Sequence, residues 1–229
     1  MLHLVTGGSG SGKSAYAENC CLKYGGPCLY LATMKIWDEE DRKRVEKHRA
    51  MRAGKGFDTC ECPVDLEKLD IPEHFRSGTV LLECMSNLLV NELWREDIPD
   101  ASAGSMDETA LEKHPETGFA TDRQAVNGKK KDGQTGEGEH IAGNAARDHD
   151  TEVRILRGIR HLADSCRHLV IVTDEIFSDG IRYDEETMRY LRVLAALNRD
   201  IAEQADAVTE VVFGIPVPVK WKNGRKEYV

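Results

Sequence analysis

Short apolar runs alternate with longer stretches of mixed polarity along most of the chain. Five of these runs are apolar at nearly every position, which is typical of strands buried on both faces of a sheet. They cover residues 2–6, 28–32, 79–82, 169–173 and 207–213. Two weaker extended segments are predicted at 58–62 and 217–221.

The stretches between the strands have helical periodicity or helical composition. Val153, Leu156, Ile159 and Leu162 recur at intervals of three, which places them on one face of a helix. Helices are predicted at 13–24, 37–51, 85–94, 151–166 and 185–204. This alternation of strands and helices predicts an α/β fold, with a mainly parallel sheet flanked by helices.

Residues 97–150 interrupt the alternation. The segment is rich in Gly, Asp, Glu, Lys, Thr and Asn, and its few apolar residues have no regular spacing. Such a composition buries too little apolar surface to offset the entropy lost on ordering the chain. We therefore predict a single domain over residues 1–229 with a largely disordered insertion at 97–150. Composition alone leaves open whether the insertion also docks a partner.

Charge and composition narrow the range of partners. The net charge is -9 and there is no long basic run, so a nucleic acid is not an expected partner. No apolar run reaches the roughly 18 to 20 residues of a membrane span, and the first residues lack the pattern of a signal peptide. The spacing of the seven cysteines gives no pair of motifs that could bind a metal together. Reduced thiols and a cytoplasmic location are therefore favoured.

The first predicted strand runs directly into a loop of glycine and serine. The loop matches G-x-x-x-x-G-K-[ST] in full and stands between a strand and a helix, as a phosphate-binding loop requires. Its residues are Gly7, Gly8, Ser9, Gly10, Ser11, Gly12, Lys13 and Ser14. Glycines allow successive backbone N–H groups to face an anion, while Lys13 reaches the outer phosphates and Ser14 can ligate Mg²⁺. The sequence predicts a nucleoside triphosphate site, but this loop alone does not separate a kinase from an ATPase or a switch.

Three acidic residues follow predicted strands. Glu83 comes after the strand at 79–82, and Asp174 and Glu175 come after the strand at 169–173. Ligands of open α/β sheets bind at the carboxyl ends of the strands, so Glu83 and Glu175 are expected to converge with Lys13 on one crevice. Glu83 is the candidate second ligand of Mg²⁺, and the alternative is a carboxylate that only faces solvent.

His48 lies in an unusually basic surrounding. Arg44 and Arg52 are four positions away on either side, hence on the same face of the predicted helix. Neighbouring cations lower the pKa of a histidine, keep its imidazole neutral and nucleophilic, and attract phosphates. A histidine on a charged helix is more often an ordinary surface residue, so spacing alone leaves a catalytic role open.

Several motifs, in order, resemble the bifunctional adenosylcobinamide kinase / adenosylcobinamide-phosphate guanylyltransferase family. The resemblance covers about residues 1–96 and 151–222 and rests on LVTGGSGSGKSAYAE, RVEKHR, FDTCECP, LLECMSNLLVNELW and the C-terminal third of the chain. RVEKHR is similar to the family pattern R-[IV]-x-x-H-[RK], whose histidine is guanylylated. FDTCECP is similar to a segment with an aromatic residue followed by Thr-x-Glu-x-Pro.

The resemblance implies a two-step enzyme of cobalamin biosynthesis. ATP or GTP, held by Lys13 and Mg²⁺, would phosphorylate adenosylcobinamide. His48 would then take GMP from GTP and pass it to adenosylcobinamide phosphate. Arg49, Glu61 and Glu83 are implied as further nucleotide-binding residues. The family also implies a homo-oligomer, often a trimer.

The chain departs from the family pattern in two places. The family usually has Asn-Glu-Val-Gly after its fourth strand, where this chain has Asp174-Glu175-Ile176-Phe177. The family often has Asn-Gln late in the long helix, where this chain has Asn198-Arg199. Two alternatives stay open: a family member with only one of the two activities, and a nucleotide-dependent switch. The switch is less favoured because the guanine-reading string Asn-Lys-x-Asp is absent.

Overall fold

A computed structural model describes residues 1–35, 43, 54–95 and 137–222, with the backbone alone at 137–144. The described strands are β1 (Leu2–Thr6), β2 (Cys28–Ala32), β3 (Phe57–Glu61), β4 (Thr79–Glu83), β5 (His168–Val172), β6 (Ala207–Val212) and β7 (Ile215–Trp221). The described helices are α1 (Lys13–Tyr24), α2 (Met85–Leu93), α3 (Glu137–Ser165) and α4 (Glu185–Gln204), with short 3₁₀ helices at Leu66–Lys68 and Glu73–Phe75. The helix predicted at 37–51 lies outside the described residues, apart from residue 43.

All seven strands belong to one sheet, in the order β3-β2-β4-β5-β1-β6-β7. Strands β1 to β6 pair in parallel, and only β7 runs antiparallel, against β6. This confirms the predicted α/β fold with a mainly parallel sheet. Because parallel strands end at the same edge, the residues that follow β1 to β5 lie along one carboxyl edge of the sheet.

The central strands are buried on both faces. In β2, for example, Leu31 packs into a larger core with α2, α3 and α4, whereas Tyr30 packs into a smaller core with α1. Consecutive side chains of a strand point to opposite faces, so both must be apolar when helices cover both faces. This explains why the predicted strands lack an alternation of polar and apolar residues.

Two helix ends follow directly from local chemistry. Asp184 caps α4, because its Oδ1 accepts a hydrogen bond from the Thr187 backbone N–H at 2.8 Å. Helix α1 ends at Gly25, whose φ of 76° is readily adopted only without a Cβ atom. The predicted bounds 13–24 and 185–204 are therefore confirmed.

Helix α3 begins fourteen residues earlier than the sequence predicts, at Glu137 instead of residue 151. The insertion predicted at 97–150 thus overlaps the described helix over 137–150, while residues 97–136 lie outside the described residues. The structure supplies a tertiary contact that composition does not reveal. Asp148 Oδ1 accepts hydrogen bonds from Arg189 Nε at 2.6 Å and Nη2 at 2.5 Å, which fastens this part of α3 to α4.

Exposed apolar side chains are concentrated on the hairpin formed by β6 and β7. Phe213, in the turn, is 94% exposed, and Ile215 and Val219 on β7 are 65% and 63% exposed. Within the described ranges, no helix combines the length and the apolar character needed to cross a bilayer.

Candidate active site

The phosphate loop folds between β1 and α1 as the sequence predicts. A Cβ atom on Gly7 would lie 2.6 Å from both Val211 O and Ser11 Oγ, so no larger residue fits there. Gly12 has a φ of 92° and immediately precedes α1, which turns the loop into the amino end of the helix. The loop thus places backbone N–H groups and the positive end of the α1 dipole on one side, the arrangement that binds phosphate.

Residues that follow the neighbouring strands β5 and β6 hold this loop by its backbone. The Glu175 N–H donates to Gly7 O at 3.0 Å, and the Gly214 N–H donates to Ser11 O at 2.8 Å. Ser11 Oγ is buried and has no hydrogen-bond partner among the described residues. A buried hydroxyl in a loop of this kind is a polar group that a phosphate oxygen would satisfy.

Lys13 lies against Asp174. Its Nζ is 2.8 Å from Asp174 Oδ1 and also donates to Gly8 O at 3.2 Å. The other carboxylate oxygen of Asp174 accepts a hydrogen bond from Ser86 Oγ. This pairing of Asp174 with Lys13 was not predicted from the sequence.

The side chain of Glu175 has a different role from that of Asp174. Its Oε1 accepts hydrogen bonds from Ser178 Oγ at 2.8 Å and from the Phe177 N–H at 3.3 Å, so its side chain stabilises the turn that follows. Its contribution to the loop is the backbone hydrogen bond to Gly7. Among the described residues, the carboxylate paired with Lys13 is that of Asp174, and the convergence of Glu175 with Lys13 stays a prediction.

Glu83 ends β4, two strands away from β1. The strand between them is β5, so Glu83 lies about 10 Å from the level of the phosphate loop, at roughly 4.8 Å per strand. Glu61 ends β3, and the register pairs both glutamates with Ala32 on β2. Glu61 is thus about 19 Å from β1 by the same spacing. The two glutamates and the loop lie in a row along the carboxyl edge.

A polar cluster that the sequence did not predict joins the ends of β2 and β4. Thr33 is fully buried, and its Oγ1 donates to Cys84 O and accepts from the Cys84 N–H, both at 2.8 Å. Asn91 Nδ2 donates to Thr33 O at 2.8 Å and to Pro63 O at 3.0 Å. Asn91, in the stretch LLECMSNLLVNELW, therefore holds the backbone beside the site. The sequence signal that could have predicted this polar cluster is the polar residue that directly follows each apolar strand.

His48 and Arg49 lie outside the described residues. The chain on either side of them is described: it leaves the carboxyl end of β2 at Lys35 and returns at Gly54, before the amino end of β3. Since β2 and β3 are parallel, the segment with His48 starts at the edge where the phosphate loop lies.

The residues at this edge fit a magnesium ion that is bound together with a nucleotide. Among residues 1–35, 54–95 and 145–222, no group of three or more His, Cys, Asp or Glu side chains is arranged to hold a metal ion by itself. Mg²⁺ usually keeps several waters and binds through one or two carboxylates together with phosphates. Ser14, in the first turn of α1, and Glu83 carry the oxygen ligands that Mg²⁺ prefers.

Comparison with known proteins agrees with this geometry. The family model "Cobinamide kinase / cobinamide phosphate guanyltransferase" matches residues 3–219. The bifunctional adenosylcobalamin biosynthesis proteins CobU of Salmonella typhimurium and Escherichia coli are 29% and 28% identical to the chain, covering 96% of it and 100% of their own lengths. The corresponding CobP of Pseudomonas aeruginosa is 24% identical, over 96% of this chain and 98% of its own. The chain belongs to the cobinamide kinase / cobinamide phosphate guanyltransferase family.

Proposed function

We propose that this chain carries out both reactions of its family. It phosphorylates adenosylcobinamide with ATP or GTP, and then transfers GMP from GTP to adenosylcobinamide phosphate, giving adenosylcobinamide-GDP. The observation that carries the proposal is the complete phosphate loop, folded at the carboxyl edge of a parallel sheet with Lys13 next to Asp174. Family membership over residues 3–219 supports the choice of substrates.

In the first reaction, the chain positions the triphosphate and neutralises its charge. The backbone N–H groups of the loop and Lys13 bind the β- and γ-phosphates, and Ser14 and Glu83 would hold Mg²⁺. The metal ion, when bound, offsets negative charge on the phosphate oxygens. The oxygen of the acceptor hydroxyl forms a bond to the γ-phosphorus and its proton passes to solvent, while the bond to the β-phosphate oxygen breaks and the nucleoside diphosphate leaves. Phosphoryl transfer needs positioning and charge stabilisation more than covalent catalysis.

In the second reaction, His48 acts as the nucleophile. Its imidazole nitrogen bonds to the α-phosphorus of GTP, and the bond to the pyrophosphate oxygen breaks. A phosphate oxygen of adenosylcobinamide phosphate then attacks the same phosphorus and releases His48. The covalent intermediate divides one transfer into two steps. Arg49 and Glu61 bind the nucleotide, and Glu61 does so away from the loop because it lies at the other end of the row.

Product analysis separates this proposal from the single-activity alternatives. With adenosylcobinamide and ATP, mass spectrometry should detect the phosphorylated corrinoid. Added GTP should convert it to the GDP derivative. His48→Ala should stop at the phosphorylated product, and Lys13→Met should lower the phosphorylation rate about 100-fold, the typical effect of losing one transition-state donor. A wild-type chain that stops after the first product is a kinase only, and one that accepts only the phosphorylated corrinoid is a transferase only.

We also propose that the chain forms a homo-oligomer in the cytoplasm. The exposed apolar side chains of the hairpin, led by Phe213 at 94%, support self-association. The seven cysteines are all free thiols, which agrees with a reducing compartment. Sedimentation velocity should show a single species larger than the monomer, and Phe213→Ser should shift it toward the monomer.

A further inference from the structure

We propose that Asp174 makes the phosphate loop select magnesium-bound nucleotide over metal-free nucleotide. This inference rests on the proposed binding of a nucleoside triphosphate at the loop. It assigns a specificity role to a residue at which the chain departs from the pattern it otherwise resembles, where an asparagine is usual.

The carboxylate of Asp174 is held in place at both oxygens. Oδ1 lies 2.8 Å from Lys13 Nζ, and Oδ2 accepts a hydrogen bond from Ser86 Oγ. The side chains of Lys13 and Asp174 are only 13% and 24% exposed, so water screens this ion pair little. Ser86 is itself buried and hydrogen-bonded to the buried Tyr190. The carboxylate is therefore anchored toward the core, not free to turn into solvent.

The backbone around Asp174 is fixed as well. Asn198 Nδ2 donates to Asp174 O at 3.4 Å, and Asn198 Oδ1 accepts from Thr173 Oγ1 at 2.7 Å. On the other side, the Glu175 N–H donates to Gly7 O at 3.0 Å. Because β5 lies between β1 and β4, Asp174 stands between the phosphate loop and Glu83. The carboxylate of Asp174 therefore keeps its position close to a nucleotide that is bound at the loop.

Charge then determines which form of nucleotide binds. A metal-free triphosphate must replace Asp174 as the ion-pair partner of Lys13. Its negative oxygens then lie within a few ångströms of the Asp174 carboxylate, and the two negative groups repel each other. A bound divalent cation cancels part of that negative charge and attracts the carboxylate, so the repulsion largely disappears. An asparagine at this position has nearly the same shape but no charge, so it does not discriminate between metal-bound and metal-free nucleotide.

Calorimetric titration of wild type and Asp174→Asn with ATP, in EDTA and in excess MgCl₂, tests this inference. We expect Asp174→Asn to bind metal-free ATP about tenfold more tightly than wild type does, the effect of removing one like charge at short range. With Mg²⁺ present, the two Kd values should agree within about threefold, given the compensating charge. Asp179→Asn is the matched control, since Asp179 is on the same loop and bonds Tyr183. Its preference for the metal-bound form should equal that of wild type.

Two results would overturn the inference. One is an Asp174→Asn variant, folded by its circular dichroism, that binds metal-free ATP no more tightly than wild type. The other is a wild-type chain that binds both forms of ATP equally, which leaves the proposed function standing. A wild-type chain that binds ATP in neither buffer contradicts the proposed function and this inference together. Ser86→Ala keeps the carboxylate and should keep the preference for the metal-bound form.

Discussion

His3 is a buried histidine whose chemistry sets a limit on stability at low pH. It is fully buried on β1, with Nδ1 2.8 Å from Tyr24 Oη and Nε2 2.9 Å from Thr209 Oγ1. Burial disfavours the charged imidazolium and lowers the pKa of His3 from 6.5 to about 4.

We predict that this shift destabilises the protein as the pH falls from 6.5 to 4. In that range the unfolded chain binds a proton on His3 that the folded chain does not, so the folded state loses up to about 3 kcal/mol of stability. Urea unfolding of wild type and His3→Gln between pH 7.5 and pH 4.5 measures the difference. Wild type should lose more stability than the variant. Parallel curves for the two proteins would show that His3 is not the responsible group.

The phosphate loop could be predicted from the identities of its residues, because all its chemistry lies within eight consecutive positions. The same identities did not predict the partners that hold Lys13 in place. Ser86 and Asp174 are 88 residues apart in the chain, and Thr33 and Cys84 are 51 apart. Contacts of this range depend on strand order, which local patterns do not encode.

At the scale of elements, α1 is tied to the end of the segment that carries His48. Lys55 Nζ lies 2.5 Å from Glu18 Oε2, and the Glu18 side chain is only 8% exposed while that of Lys55 is 39% exposed. Gly54 and Gly56 on either side have φ values of 83° and 77°. The ion pair therefore joins a tight turn before β3 to the helix of the phosphate loop.

We predict that Lys55→Met lowers the free energy of unfolding by about 1–2 kcal/mol, because it leaves a buried carboxylate without its cation while water still reaches the Lys55 position. Adding Glu18→Gln to that variant should recover part of the loss, since the uncompensated charge is removed. Lys222→Met is the control, because Lys222 pairs with the half-exposed Asp206. Urea denaturation checks all four proteins. Equal losses in Lys55→Met and Lys222→Met would contradict a special role for the Glu18 pair.

Element bounds were predictable where local signals exist and not where a distant contact decides them. Strand β1 and helices α1 and α4 match their predictions because apolar runs, glycines and a capping aspartate mark their ends. The start of α3 did not match. Its extension through 137–150 is fastened by Arg189, which is 41 residues from Asp148.

At the scale of the whole molecule, this extension divides the predicted insertion into two parts with different consequences. We predict that replacing residues 97–136 with a linker of about a dozen Gly and Ser residues changes the unfolding free energy by less than 1 kcal/mol, because loop-closure entropy depends weakly on length. Replacing 97–150 should cost more, since it also removes Asp148 from Arg189. Thermal and urea unfolding of the two deletions test the contrast. A shorter deletion that destabilises as much as the longer one would contradict it.

We propose that one chain both binds nucleotide at its phosphate loop and transfers GMP through His48. Incubation with GTP labelled at the α-phosphate, without a corrinoid acceptor, tests it most directly. We predict a covalent, acid-labile label on wild type, its complete loss in His48→Ala, and full labelling of His149→Ala, an exposed histidine on α3. An unlabelled wild type, or a label that persists in His48→Ala, would contradict the claim.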